Sequence, residues 1–151
     1  MSERASEHMS SASPAARPPA AVNVQRVNPA GLAPPTGFSH AVVGTGSIVF
    51  LAGQTALDGH GRIVGDGVVA QFDVALTNLL AALHEAGGRP DQLAALTVYA
   101  TDLADYRANA GEIGAVWRRL VGRDYPALAA VGVTRLWDEA ALVEVQGFAV
   151  L

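Results

Sequence analysis

The sequence predicts an α+β domain in which one mixed sheet carries two helices on a single face. Three observations lead there. The elements follow the order β-β-β-α-β-α-β-β along the chain. Two helices of the expected lengths cover only one face of such a sheet. The closing stretch "ALVEVQGFAVL" (141–151) alternates Val143, Val145 and Ala149 on one side with Leu142, Glu144, Gln146 and Phe148 on the other.

Residues 1–21, "MSERASEHMSSASPAARPPAA", are Ser, Ala and Pro with scattered charge. Such a composition predicts a disordered N-terminal tail ahead of a single domain over residues 22–151. "VNVQRV" (22–27) reads as a short edge strand, followed by a loop through Pro34, Pro35 and Gly37. "SHAVVGTGSIVFLAGQ" (39–54) reads as a hairpin with Gly44 and Gly46 flanking its turn. Ile48 to Ala52 is apolar on both faces, which predicts a strand buried on both sides. The Gly- and Asp-built loop 57–67 leads to a helix over Val68–Ala86, capped by Asp66 and ended by Gly87 and Gly88. Its inner face is Phe72, Leu76, Leu79, Leu83 and Ala86. "LAALTVYAT" (93–101) is the next strand, and a second helix is expected over 104–121, with Tyr106, Ala110, Ile113, Trp117 and Leu120 inward. "ALAAVGVTRL" and "ALVEVQGFAV" supply the last two strands, the first opened by Pro126, which needs no hydrogen-bond donor there.

In "PALAAVGVT" the alternation is read as placing Ala127, Ala129, Val131 and Val133 under the helices. Leu128, Ala130 and Gly132 then share the second face with Glu144 and Phe148. That face is too apolar to be left in water, so a second copy of the chain is expected to cover it.

The composition excludes several chemistries. The 151 residues suit one domain; half are hydrophobic and only 16% are charged. A net charge of −4 opposes nucleic-acid binding, which rests on cationic contacts to phosphate. There is no cysteine, hence no disulfide, thiolate nucleophile or Cys-based metal site. All ten basic residues are arginine, which excludes Schiff-base lysines and a Walker-type phosphate lysine. The chain has neither a secretory signal pattern nor an apolar run approaching transmembrane length, so no membrane partner and a cytoplasmic location are expected.

The four histidines, at 8, 40, 60 and 84, lack ligand spacing, and no metal or cofactor is expected. "GTGSIV" lacks the third glycine and following helix of a dinucleotide fingerprint, and Ser39 and Ser47 have no evident His–Asp partners. Two features carry more. "AGQ" (52–54) ends a strand with a glycine that either makes a strand-end turn or lets a ligand approach the backbone at Gly53 and Gln54. Glu144 stands in an apolar strand, where burial makes a carboxylate a usable general base or acid. An ion pair across an oligomer interface, to Arg135, explains Glu144 equally well.

The pieces "GFSHAV", "VFLAGQ", "VVAQFDVALTNLLAALHEAGG", "VYATDLADY", "YPALAAVGVTRL" and "LVEVQGFAV" occur in an order and spacing that resemble the RidA (YjgF) family, the reactive-intermediate deaminases, also called endoribonuclease L-PSP. The resemblance spans about Phe38 to Val150. It implies a chorismate-mutase-like fold and a homotrimer with a small-molecule ligand in each inter-subunit cleft. The deaminating members hydrolyse enamines and imines to a keto acid and ammonia. Their glutamate falls on Glu144 and their cleft-lining glycine on Gly53. Two signature positions depart: the arginine that clamps the substrate carboxylate corresponds to Leu128, and the cleft tyrosine to Phe38. With Ala130 beside Leu128, the resemblance implies a cleft more apolar than the family norm, suited to a neutral or bulkier substrate. A non-catalytic binding trimer is the alternative implied, and ribonuclease activity the third.

Overall fold

The structure is a computed structural model that describes residues 23–151; the expected tail lies outside the described residues. Its strands are β1 (Val24–Val27), β2 (Ala41–Gly44), β3 (Ile48–Gln54), β4 (Leu93–Ala100), β5 (Ala127–Gly132) and β6 (Val143–Val150). Its helices are α1 (Gly67–Glu85), α2 (Leu103–Ala108) and α3 (Ala110–Leu120), with a 3-10 turn at Pro90–Gln92. The α+β class and the element order follow the sequence.

The strands form two sheets rather than one. β1 and β2 pair antiparallel as a separate ribbon, and the main sheet runs β3-β6-β4-β5, mixed because only β4 and β5 are parallel. The expected hairpin over 39–54 is therefore not one: β2 turns to β1, while β3 pairs antiparallel with β6. Gly44 and Gly46 do flank a tight connection, but the partners come from distant segments. Gly44 lies against Val150 with no room for a Cβ, which seats the ribbon on the end of β6.

α1 begins after Asp66, whose backbone is extended but whose side chain makes no capping bond. It stops where expected. Gly87, at φ 88, donates to His84 O and Gly88 donates to Leu83 O, the two bonds of a Schellman stop that the left-handed glycine permits. The second helix is broken in two. Asp102 caps α2 by accepting from Asp105 N, and Asn109 then turns its side-chain amide onto Asp105 O. That local bond competes with helix continuation and divides the expected 104–121 helix at Asn109.

The core lies between the main sheet and the helices. Phe72, Leu76, Leu79 and Leu83 of α1 and Trp117 of α3 bury against Leu96, Val98, Val143, Val145 and Ala149. By length and hydropathy α1 could cross a membrane, which corrects the expectation that no apolar run reaches that size. Its apolar stripe is spent on the core instead. Among the described residues nothing covers the other face of the sheet. Ile48, Phe50, Val131 and Phe148 are exposed, with Phe50 and Phe148 packed edge to face at 5.4 Å. β3 is thus an edge strand with one bare face, not one buried on both sides.

Leu79 makes the core testable. Leu79→Ala should lower the free energy of unfolding by about 2–5 kcal/mol, the usual cost of a cavity at a fully buried leucine. Urea denaturation at fixed protein concentration measures it.

Candidate functional site

β3 and β6 run in register from Ile48 opposite Val150 to Leu51 opposite Gly147, and resume with Gln54 opposite Val145. Between those pairs β3 has Ala52 and Gly53 where β6 has only Gln146, the two-against-one count of a β-bulge. The bulge brings Gly53 against Glu144, and a Cβ there would overlap Oε1 of that side chain. Gly53 is therefore a glycine because the carboxylate occupies its side-chain space. Gln54, also expected to face ligand, is instead aligned with buried Val145 on the helix side.

Glu144 is half-buried and lines an open groove of about 660 Å³ with Tyr99, Gln146, Arg135 and Trp137. Tyr99 donates its phenol proton to Gln146 Oε1 at 3.1 Å, which orders one wall. Arg135 lies 3.5 Å from Glu139 in an exposed pair, and among the described residues Glu144 has no ion-pair partner. Trp137, also in the lining of the groove, is 94% exposed.

The position of this carboxylate depends on a residue that sequence reasoning missed. Gln71 of α1 is buried; its Oε1 accepts from Leu142 N at 2.8 Å and its Nε2 donates to Ala140 O at 3.0 Å. These bonds fix the loop that delivers β6, two residues before Glu144. The signal was present: Gln71 interrupts the stripe of Val68, Ala75 and Leu79, and an amide inside an apolar stripe needs buried partners.

Leu128 and Ala130 are elsewhere. β5 pairs with β4 so that Leu128 opposes Leu96 and Ala130 opposes Val98, whose side chains face the helices. The expected assignment of faces in "PALAAVGVT" is reversed. Ala127, Ala129 and Val131 share the bare face with Tyr99, and Leu128 packs on the core. The bulkier leucine takes the helix side because there it gains contacts that the alanines cannot make.

Leu128 and Ala130 meet Phe38 in an apolar pocket of about 290 Å³, walled by Phe72, Tyr106, Ile113, Trp117 and Tyr125. Local bonds fix these walls. Ser39 donates from N to Pro126 O and from Oγ to Tyr125 O, and Trp117 Nε1 donates to Asp124 O. The Trp117 and Tyr125 rings stack at 4.9 Å. Burial, and then the neighbouring Tyr125, push the Tyr106 phenol up to about 12. The sequence-derived site residues thus fall into two groups, Gly53 with Glu144 and Phe38 with Leu128 and Ala130, on opposite faces of one sheet. Among the described residues no group of three or more potential ligands could hold a metal ion.

The family model described as Endoribonuclease L-PSP matches residues 29–151. The chain belongs to the endoribonuclease L-PSP family, also known as RidA or YjgF. A RutC family protein of Pyrococcus abyssi is 31% identical over 116 residues, covering 76% of this chain and 87% of the relative. The Rid-family protein YyfB of Yersinia pestis superposes with a TM-score of 0.78 at 31% identity, over 85% of this chain and 99% of that one. TdcF of E. coli, solved with bound serine, gives 0.60 at 27% identity, over 82% and 93%. The RidA-type fold expected from the sequence is thereby established for this chain.

Two outcomes follow from the geometry of this RidA-family site. Gly53→Ala should displace the Glu144 carboxylate, the free end of a flexible side chain, and leave the fold intact. The variant should melt within about two degrees of the parent while losing whatever activity needs Glu144, as scanning calorimetry and assay together would reveal. The second concerns Tyr106. The folded chain holds the phenol proton more tightly than the unfolded chain, whose value is 10.0. This contribution to stability should be complete below pH 10 and be lost as pH rises to about 12. Denaturation at stepped alkaline pH, with Tyr106→Phe lacking this part of the decline, checks it.

Proposed function

We propose that the chain acts as a Rid-type hydrolase of C=N or enamine bonds, with Glu144 directing water at the reacting carbon. The observation that carries this reading is the Gly53–Glu144 contact: a bulge and a missing Cβ hold one carboxylate beside Gln146 on the bare strand face, in the lining of an open groove. A carboxylate so placed accepts a proton from water as the water adds to the imine carbon. The C=N electron pair moves onto nitrogen, which is protonated to give a carbinolamine. The protonated Glu144 then returns its proton to that nitrogen, and the C–N bond breaks to release ammonia as the hydroxyl becomes a carbonyl.

A single chain holds only half of this site, because the apolar pocket of Leu128 opens on the other side of the sheet. The bare face bearing Ile48, Phe50 and Phe148 supports association of copies, and the family resemblance supplies a trimer as their number. Glu144 of one subunit then faces the pocket of the next. Leucine at 128 cannot imitate a bidentate arginine–carboxylate pair, so small 2-imino acids are poor substrates and a bulkier imine suits the cleft better. That TdcF was solved with bound serine supports a small-molecule cleft in this fold.

Sedimentation at micromolar concentration should find a trimer and no folded monomer. Imines generated in place by an amino-acid oxidase should release ammonia faster with the protein than without it. Glu144→Gln should reduce that increment by about a hundredfold or more, the usual worth of a general base. A protein that binds such compounds and speeds none of them is a binding trimer, and the hydrolytic reading then fails.

A further inference from the structure

The apolar pocket adjoins a polar groove of about 430 Å³, the two sharing Thr36, Gly37, Phe38 and Tyr125 in their linings. Pocket and groove differ sharply in charge. No cationic side chain lines the pocket, whereas Arg26, Arg118 and Arg123 line the groove with one acid, Asp124. Arg26 is already engaged: it donates to Tyr125 O at 3.0 Å, and its guanidinium lies 3.9 Å from Asp124, whose charge it offsets. Among the described residues Arg118 and Arg123 have no ion pair. A cation in the last turn of α3 complements the helix dipole, which accounts for one arginine there, and Arg119 already fills that role while paired with Asp73. Arg123 lies beyond the helix and has no such reason. Two uncommitted guanidinium groups therefore flank an aromatic pocket, in a chain whose net charge is −4.

We propose that pocket and groove form one bipartite site for a small molecule carrying an aromatic ring and a carboxylate. The ring enters between Phe38, Trp117 and Leu128, and the carboxylate reaches outward to Arg118 and Arg123. The size fits: a sealed apolar cavity of about 150 Å³ accommodates benzene, so about 290 Å³ accommodates a bicyclic ring or a benzene ring with a short chain. The carboxylate contact that Leu128 cannot make is thus supplied by Arg118 and Arg123 of the adjoining groove. The inference rests on the pocket being half of the ligand cleft and is independent of any hydrolysis.

Calorimetric titration of the full-length protein with indole-3-acetate and with its uncharged counterpart indole-3-acetamide tests the assignment. The acid should bind about tenfold more tightly than the amide at low salt, as a charge-assisted pair provides, and the gap should narrow as salt rises. In Arg118→Ala/Arg123→Ala the acid should fall to the affinity of the amide, with the amide unchanged. Ala130→Phe should exclude both probes, and Gly114→Leu serves as a second filling variant should the first misfold by circular dichroism. Equal binding of acid and amide to the parent, an advantage that survives loss of both arginines, or no binding of either probe would overturn the proposal. Because binding is read without turnover, this pattern in a protein that releases no ammonia counts against the hydrolytic reading alone. Ammonia release with acid and amide bound alike counts against the bipartite site alone.

Discussion

A β-sheet is opaque to side chains: neighbouring residues point to opposite faces, and what lies on one cannot touch what lies on the other. That parity governs everything functional in this RidA-family chain. β6 sends Val143 and Val145 into the core and leaves Glu144 and Gln146 on the bare side. β5, locked to β4, sends Leu128 and Ala130 toward the helices. No side-chain rotation carries Leu128 to Glu144. Chemistry that uses both needs two chains, and the face that carries Glu144 also exposes Ile48, Phe50 and Phe148.

Within one chain the devices that place the carboxylate are local and interdependent. The bulge in β3 supplies an extra residue, that residue is glycine, and Glu144 fills the space its side chain would take. Gln71 fixes the loop from the helix side, so α1 both builds the core and sets the start of β6. Removal of that amide would leave a buried N–H and a buried carbonyl without partners, a cost usually larger than the bond itself is worth. The apolar pocket is held in a similar way, with Ser39, Arg26 and Trp117 all bonding backbone carbonyls of the segment that feeds β5.

What the sequence revealed and what it concealed divide along the range of the interactions involved. The alternation of β6 was legible because a strand's period is local and Glu144 and Gln146 mark its polar side. β5 is Ala-Leu-Ala-Ala-Val-Gly, with no polar residue to mark a face, so only pairing with β4 decides which side is in, and the reading from local pattern was inverted. Gly44 and Gly46 correctly marked a turn, but whether two strands beside a turn pair with each other is a long-range choice, here lost to β1 and β6. Gly53 and Glu144 were each legible as candidates, and their contact was not, because a bulge leaves no signature beyond the glycine itself. Asn109 carried a weaker clue, a helix-breaking amide inside an otherwise continuous amphipathic pattern.

The claim that a complete site needs two chains has a direct measurement in mixed assembly. Glu144→Gln destroys one half of the site and Ala130→Phe fills the other, and each variant alone should be inactive in ammonia release. Unfolding the two together in equal amounts and refolding them should restore about a quarter of the parent rate, the chance that a randomly assembled interface joins two intact halves. Recovery to that level supports a site shared between subunits. A mixture as inactive as its components, with hybrid assemblies demonstrated by mass spectrometry, would contradict it, since Glu144 and the pocket would then not cooperate across an interface.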